Sequence, residues 1–211
     1  MLWLFVKRVI RKLYRLCNPS KDFFDGQLYW SDRARIYGKK AVINVAYPDE
    51  MYDQVKQRDE KEIFPHLKRQ LSGTEKTILD LGCGVGRFTA GLALLTGCCV
   101  VGVDPTPQLI KTAAKSKSDN TDFKVMKEGK IPLSNRSVDI LWTYGVLGCI
   151  KGKILIKTIQ EMERVLKKDG LLFLVENTTA KPALNHYTYR PFDEYRSMIS
   201  FAALELLHEY P

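Results

Sequence analysis

Asp80, Gly82, Gly84, Gly86 and Asp104 form the most specific constellation in this 211-residue chain. Three glycines within five positions let a backbone turn come close to a ligand, because no Cβ stands in the way. When such a turn leads into a helix, its N–H groups suit an anionic group that the helix dipole also favours. Asp80 precedes the turn and can answer a ligand's ammonium. Asp104, 18 residues past Gly86, can accept hydrogen bonds from two ribose hydroxyls. It can equally cap the helix that Pro105 introduces. A dinucleotide site wants Gly-x-Gly-x-x-Gly, its third glycine allowing tight helix–strand packing. Arg87 holds that last position here, so the dinucleotide fingerprint fails.

These residues need a strand before the turn and a helix after it, and the chain supplies both repeatedly. Apolar runs predict strands at Thr77–Leu81, Cys98–Val103, Asp122–Met126, Val138–Thr143 and Leu171–Val175. Helices are predicted at Arg87–Leu95, Pro107–Lys117 and Lys153–Leu166, the last with Ile154, Leu155, Ile159, Met162, Val165 and Leu166 on one face. Alternating elements of this kind make an α/β fold, a doubly wound and mostly parallel sheet. Upstream, 50–71 reads as helical, with a kink or restart at Pro65. Downstream, 177–190 reads as a loop, 192–203 as a helix and 204–210 as a strand. The expected organisation is a basic amphipathic helix at 1–20, a helical cap or lid at 21–76, and a ligand-binding domain at 77–211.

The spacing Asp80-x-Gly82-x-Gly84-x-Gly86 is the one S-adenosylmethionine (SAM) sites use. That cofactor has no pyrophosphate; its anionic end is an amino-acid carboxylate, which the turn's N–H groups suit. At these residues the chain resembles the class I (Rossmann-like) SAM-dependent methyltransferases. Ile78–Arg87 matches the family's first motif, and Val101-Gly-Val-Asp104 its second-strand motif. Ser137–Trp142 is similar to the fourth strand, and Arg164–Leu172 to the turn before the fifth. The resemblance implies a Rossmann-like methyltransferase fold whose later strands are incomplete by Pro211, and SAM as cofactor with S-adenosylhomocysteine (SAH) as product. It also implies an acid after the third strand for the adenine amino group, matched here by Glu128 with Gly129. The cofactor set expected is Asp80, Gly82, Cys83, Gly84, Gly86, Asp104, Pro105, Glu128, Gly129, Thr143 and Gly145.

Methyl transfer from a sulfonium is an in-line displacement, so the protein must hold the acceptor on axis and exclude water. Two segments reach the C-terminal ends of the strands: 143–148, and the loop 177–190 with His186, Tyr187 and Tyr189. His186 is the candidate general base, set against the plainer reading of a surface histidine. Arg35 and Tyr37 are candidates to close over the cofactor carboxylate. His66, His186 and His208 lack ligand spacing, and no metal is expected.

The net charge of +9 is concentrated: residues 1–20 carry five basic residues and no acid, leaving +4 for the rest. That argues against nucleic acid as a partner and for an anionic membrane surface met through residues 1–20. A helix packed on its own domain is the plain alternative. Five scattered cysteines suit reduced thiols in a cytoplasmic setting, with peripheral membrane attachment. The expected reaction is methyl transfer to an O or N atom of a small-molecule or lipid- or glycan-linked acceptor. An RNA or protein methyltransferase, a non-catalytic SAM-binding or membrane-associated module, and more remotely a nicotinamide oxidoreductase are the competing readings.

Overall fold

The computed structural model describes residues 26–127, 129–179, 184 and 186–209. Five strands make one sheet: β1 (Thr77–Leu81), β2 (Cys99–Asp104), β3 (Thr121–Val125), β4 (Val138–Tyr144) and β5 (Leu166–Val175), in the order β3-β2-β1-β4-β5. Every pairing is parallel. The order reverses between β1 and β4, so the crevice opens at the C-terminal ends of these two strands. The doubly wound expectation holds. Each predicted strand is present with ends shifted by a residue or two, except β5. There the ladder steps from Val138↔Leu166 to Ile140↔Leu171, so Lys167–Gly170 bulge out and continuous pairing begins at Leu171. Among the described residues no strand follows β5, and 203–209 is irregular where a strand was expected.

The helices are α1 (Gly26–Tyr37), α2 (Met51–Gln70), α3 (Thr89–Thr96), α4 (Pro107–Ala113), α5 (Gly152–Val165) and α6 (Phe192–Met198). Helix α3 stops at Gly97, a left-handed cap whose N–H reaches the Ala93 carbonyl. Helix α4 starts on Pro107 in its first turn. Helix α5 buries Leu155, Thr158, Met162 and Val165, a single stripe; Ile154, expected on it, is 54% exposed. Helix α2 is one continuous element through Pro65, so the expected restart does not occur. Pro65 and Lys61, the residue whose carbonyl it leaves unbonded, both lie on the exposed face, where solvent takes the carbonyl. Helix α6 ends at Met198, five residues short of the expected end.

Two cores flank the sheet. One gathers Leu79, Leu141, Met162 and Val165 with Tyr195 and Met198 of α6. The other gathers Ile63 and Leu67 of α2 with Ile78, Phe88, Leu92, Trp142 and Phe173. Trp142 lies flat on Phe173 with centroids 5.1 Å apart, and Phe64 and Phe88 meet it edge-on. Such contacts are each worth about 0.5–1.5 kcal/mol beyond simple burial. They fix α2 and the start of α3 to the sheet directly below the crevice.

Above that cluster, the buried Asp59 of α2 forms an ion pair with the buried Arg87. Tyr144 donates a hydrogen bond to the same carboxylate at 3.2 Å, and Arg58 caps its other oxygen at 2.8 Å. The Arg87 guanidinium also sits over the rings of Phe88 and Tyr144, 4.6 and 5.0 Å from their centroids. Removing one partner of a buried pair strands the other charge, at a cost of about 3–5 kcal/mol. Asp59→Ala should therefore lower the urea midpoint sharply; a midpoint unchanged from wild type would show that the pair carries no such weight.

Candidate active site

The glycine turn is stitched to the end of β2. The Val103 carbonyl accepts the N–H groups of Gly82 (2.7 Å) and Cys83 (3.0 Å), and Asp104 Oδ2 accepts that of Gly84 (3.1 Å). Asp104 Oδ1 accepts the N–H of Thr106 at 2.8 Å, so the carboxylate also serves the start of α4. Each oxygen holds one N–H and keeps lone-pair capacity toward a ligand hydroxyl. Gly82 and Gly84 have φ of 71° and 56°, in the left-handed region. A Cβ on Gly82 would collide with Val146, and one on Gly84 would stand 2.6 Å from Val42. The turn is thus pressed between the segment after β4 and the cap.

The expected N–H cradle is only partly available. The N–H groups of Gly82, Cys83, Gly84 and Gly86 all bind protein acceptors, Gly86 reaching the Cys83 carbonyl at 2.9 Å. What the turn offers is close approach of its backbone rather than a row of free donors. Asp80 lies beneath it, 3% exposed, accepting the Thr89 hydroxyl at 2.6 Å. Burial pushes its carboxyl up to about 7, and the nearby Asp104 adds to the rise. Burial likewise pushes Asp104 up to about 6, against the hydrogen bonds from Thr106 and Gly84.

The other expected residues fall as follows. Cys83 is buried in the turn, its thiol pushed up by burial and by Asp80 and Asp104. The Pro105 carbonyl accepts Gln27 Nε2 of α1 at 3.1 Å. Thr143 is fully buried and its hydroxyl points to Glu176 at 3.5 Å. Gly145, with φ of 65°, has open space at its Cβ position. Gly129 packs against Thr158 and Lys157 of α5, well occupied on that side. Glu128 lies outside the described residues, as does the basic segment 1–20.

His186 is partly buried and stacks on Tyr29 of α1, with centroids 5.0 Å apart and planes 16° from parallel. Burial holds its pKa below the usual value, with Arg33 and Lys151 acting in the same direction, so it favours the neutral form. Arg35 turns outward to Asp32 at 3.2 Å, contrary to its expected place over the site. The inward cation of α1 is Arg33, which donates to the carbonyls of Ala41 (2.9 Å) and Ile43 (3.1 Å) and to the Tyr29 hydroxyl (3.2 Å). Sequence reasoning also passed over Glu176, whose only signal is an acid directly after the last strand. Its carboxylate collects the N–H groups of Val146, Leu147 and Gly148 and the hydroxyls of Tyr187 and Tyr195.

A switch-point crevice, a glycine turn and an acid at the end of β2 define a nucleoside-binding α/β domain of the methyltransferase type. Residues 79–174 match the family described as Methyltransferase domain. The rat thiol S-methyltransferase TMT1B is 34% identical over 128 residues, covering 56% of this chain and 50% of that protein. The demethylmenaquinone methyltransferase of Chlorobaculum tepidum is 29% identical over 123 residues, covering 58% and 50%. The structure of Haemonchus contortus phosphoethanolamine N-methyltransferase 2, in complex with phosphomonomethylethanolamine and SAH, superposes with a TM-score of 0.58 at 19% identity, over 66% of this chain and 36% of that one. The matched family and these relatives support a class I SAM-dependent methyltransferase domain over residues 79–174. It spans about half the length of the curated relatives it matches.

The residues fit this family's cofactor at Asp104, which presents a two-oxygen acceptor for a ribose diol at the end of β2. SAM supplies an electrophilic methyl group on a sulfonium. Only an ionised Asp104 accepts from both hydroxyls, and ionisation appears as pH rises through about 6. SAH affinity should therefore rise between about pH 5 and pH 7 and then level off. Asp104→Asn should weaken SAH by roughly 10–100-fold and flatten that pH profile in titration calorimetry. Wild-type affinity in this variant would remove Asp104 from the site.

Proposed function

We propose that this chain transfers a methyl group from SAM to a small, largely apolar acceptor, with a thiol as the leading acceptor class. The observation that carries the reading is the neutral-biased His186, held against Tyr29 of α1. A thiol has an intrinsic pKa of about 8.5, so a neutral imidazole suffices to take its proton as the sulfur attacks. Neighbouring Tyr187 and Tyr189, in ring contact at 5.1 Å, add aromatic surface for an apolar acceptor. The similarity to a thiol S-methyltransferase supports sulfur as the acceptor atom; the similarity to a demethylmenaquinone methyltransferase supports a small-molecule acceptor generally. The O or N acceptor read from the sequence remains the second choice within the same site. Asp80, Gly82, Cys83, Gly84, Gly86 and Asp104 make up the proposed cofactor side, together with Pro105, Gly129, Thr143 and Gly145.

His186→Ala should lower kcat with a small alkyl thiol by roughly 10²-fold near neutral pH. The deficit should shrink as pH rises through the thiol's own pKa, because the thiolate then forms unaided. SAH release by the wild type and a pH-independent deficit would remove His186 as the base; SAH binding without turnover on thiols would remove the thiol.

The basic, amphipathic pattern of residues 1–20 supports attachment to an anionic membrane surface, which suits an apolar or lipid-linked acceptor. Among the described residues, no helix is long and apolar enough to cross a membrane. Deleting residues 1–20 should abolish sedimentation with phosphatidylserine vesicles while leaving SAH affinity intact. Unchanged sedimentation would end the membrane part of the proposal.

A further inference from the structure

The turn after β4 is gripped from both sides by Glu176, Thr188 and Arg190. On its N–H side, Glu176 Oε1 accepts from Val146 and Leu147, both at 2.8 Å, and Oε2 from Gly148 at 3.3 Å. On its carbonyl side, the buried Arg190 donates to Leu147 (3.0 Å) and Ile150 (3.3 Å), and the Thr188 N–H donates to Gly148 (2.8 Å). The Glu176 carboxylate also accepts the hydroxyls of Tyr187 (3.1 Å) and Tyr195 (3.4 Å). The Tyr187 ring lies directly over Gly148, leaving no room there for a side chain.

We infer that Glu176 is the positioning residue for the acceptor side of the site, locking the 145–150 turn and the Tyr187 segment into one wall. Every group that converges on it is a donor. A carboxylate has no hydrogen to offer and about four acceptor sites, which the three N–H groups and the hydroxyls of Tyr187, Tyr195 and Thr143 share. A glutamine in the same place keeps one oxygen for Val146 and Leu147 but turns an NH2 toward the Gly148 N–H, which cannot reverse its role. An alanine loses all of these bonds. The glycine turn and Asp104 are held by their own bonds, which do not pass through Glu176, although Glu176 also meets Thr143 and holds Val146 where it packs on Gly82. Its loss is therefore expected to disturb acceptor geometry far more than cofactor affinity.

This inference rests on the methyl-transfer reading, and its test is arranged so that the two fail separately. Wild-type turnover of a small alkyl thiol tests the reading. Amide hydrogen exchange at Val146, Leu147 and Gly148 and SAH titration test Glu176 with no acceptor present. Displacing a reacting group by about 1 Å costs roughly 10²-fold, so Glu176→Ala should lower kcat/KM about 100-fold and Glu176→Gln about 10-fold, with SAH Kd within about threefold of wild type. Exchange at the three amides should quicken in the same order while β1 and β4 stay protected. If Glu176→Ala does not fold, the Glu176→Gln result stands in its place. Wild-type exchange and kinetics in the variants would overturn the inference. So would a parallel loss of SAH affinity and of protection throughout the sheet, which would make the residue merely structural.

Discussion

The carbonyl of Val103 receives the N–H groups of both Gly82 and Cys83, and the next residue, Asp104, receives that of Gly84. These three bonds continue the parallel register in which Asp80 faces Gly102 and Leu81 faces Val103. The glycine turn is in effect the end of the β1–β2 ladder, curled over the tip of β2. Side chains alternate along a strand, so a slip of one residue would move Asp104 to the opposite face and separate it from the turn. The apolar inward positions Ile78, Leu79, Leu81, Val100 and Val103, all fully or nearly fully buried, hold that register. The chemistry of the crevice therefore depends on the packing below it.

Arg87 shows how a departure from the dinucleotide pattern is absorbed. A third glycine would let helix and strand close up; a buried arginine needs a counter-charge instead, and Asp59 of α2 provides it. A buried pair of this kind is weak evidence of net stabilisation, since desolvation offsets much of the attraction. Its effect is on arrangement. The cap has one orientation that satisfies Arg87, and that orientation also brings Val42 onto Gly84 and Tyr29 onto His186.

Elements whose signals are local were legible in the sequence. The strands are short apolar runs, and the glycine turn and Asp104 carry spacing that only a strand–turn–helix unit explains. Helix α1 was given no bounds within the expected helical cap, because its twelve residues bury none of their number and show no apolar stripe. Arg35 was chosen over Arg33 for the same reason; two positions are about 200° apart on a helix, and without a stripe nothing orients it. Glu176 was invisible because its meaning lies in partners 28 to 30 residues before it and 11 to 19 after it. The two stacked histidines, His66 and His208, are likewise joined only by the fold.

The two rims of the sheet differ in a way that matters beyond this crevice. Along β3, Lys124 is exposed and Lys117 pairs with Asp122 at 2.7 Å, so charge guards that rim. Along β5, the charges Lys167, Lys168 and Asp169 are confined to the bulge, and Leu171–Val175 follow without a charge among them. Among the described residues, β4 is the only strand that pairs with β5. Free peptide groups on an uncharged rim are a template for further strand pairing, whereas a charged rim resists it. A strand added to this sheet beside Leu171–Val175 would lie next to Glu176 and the wall it holds.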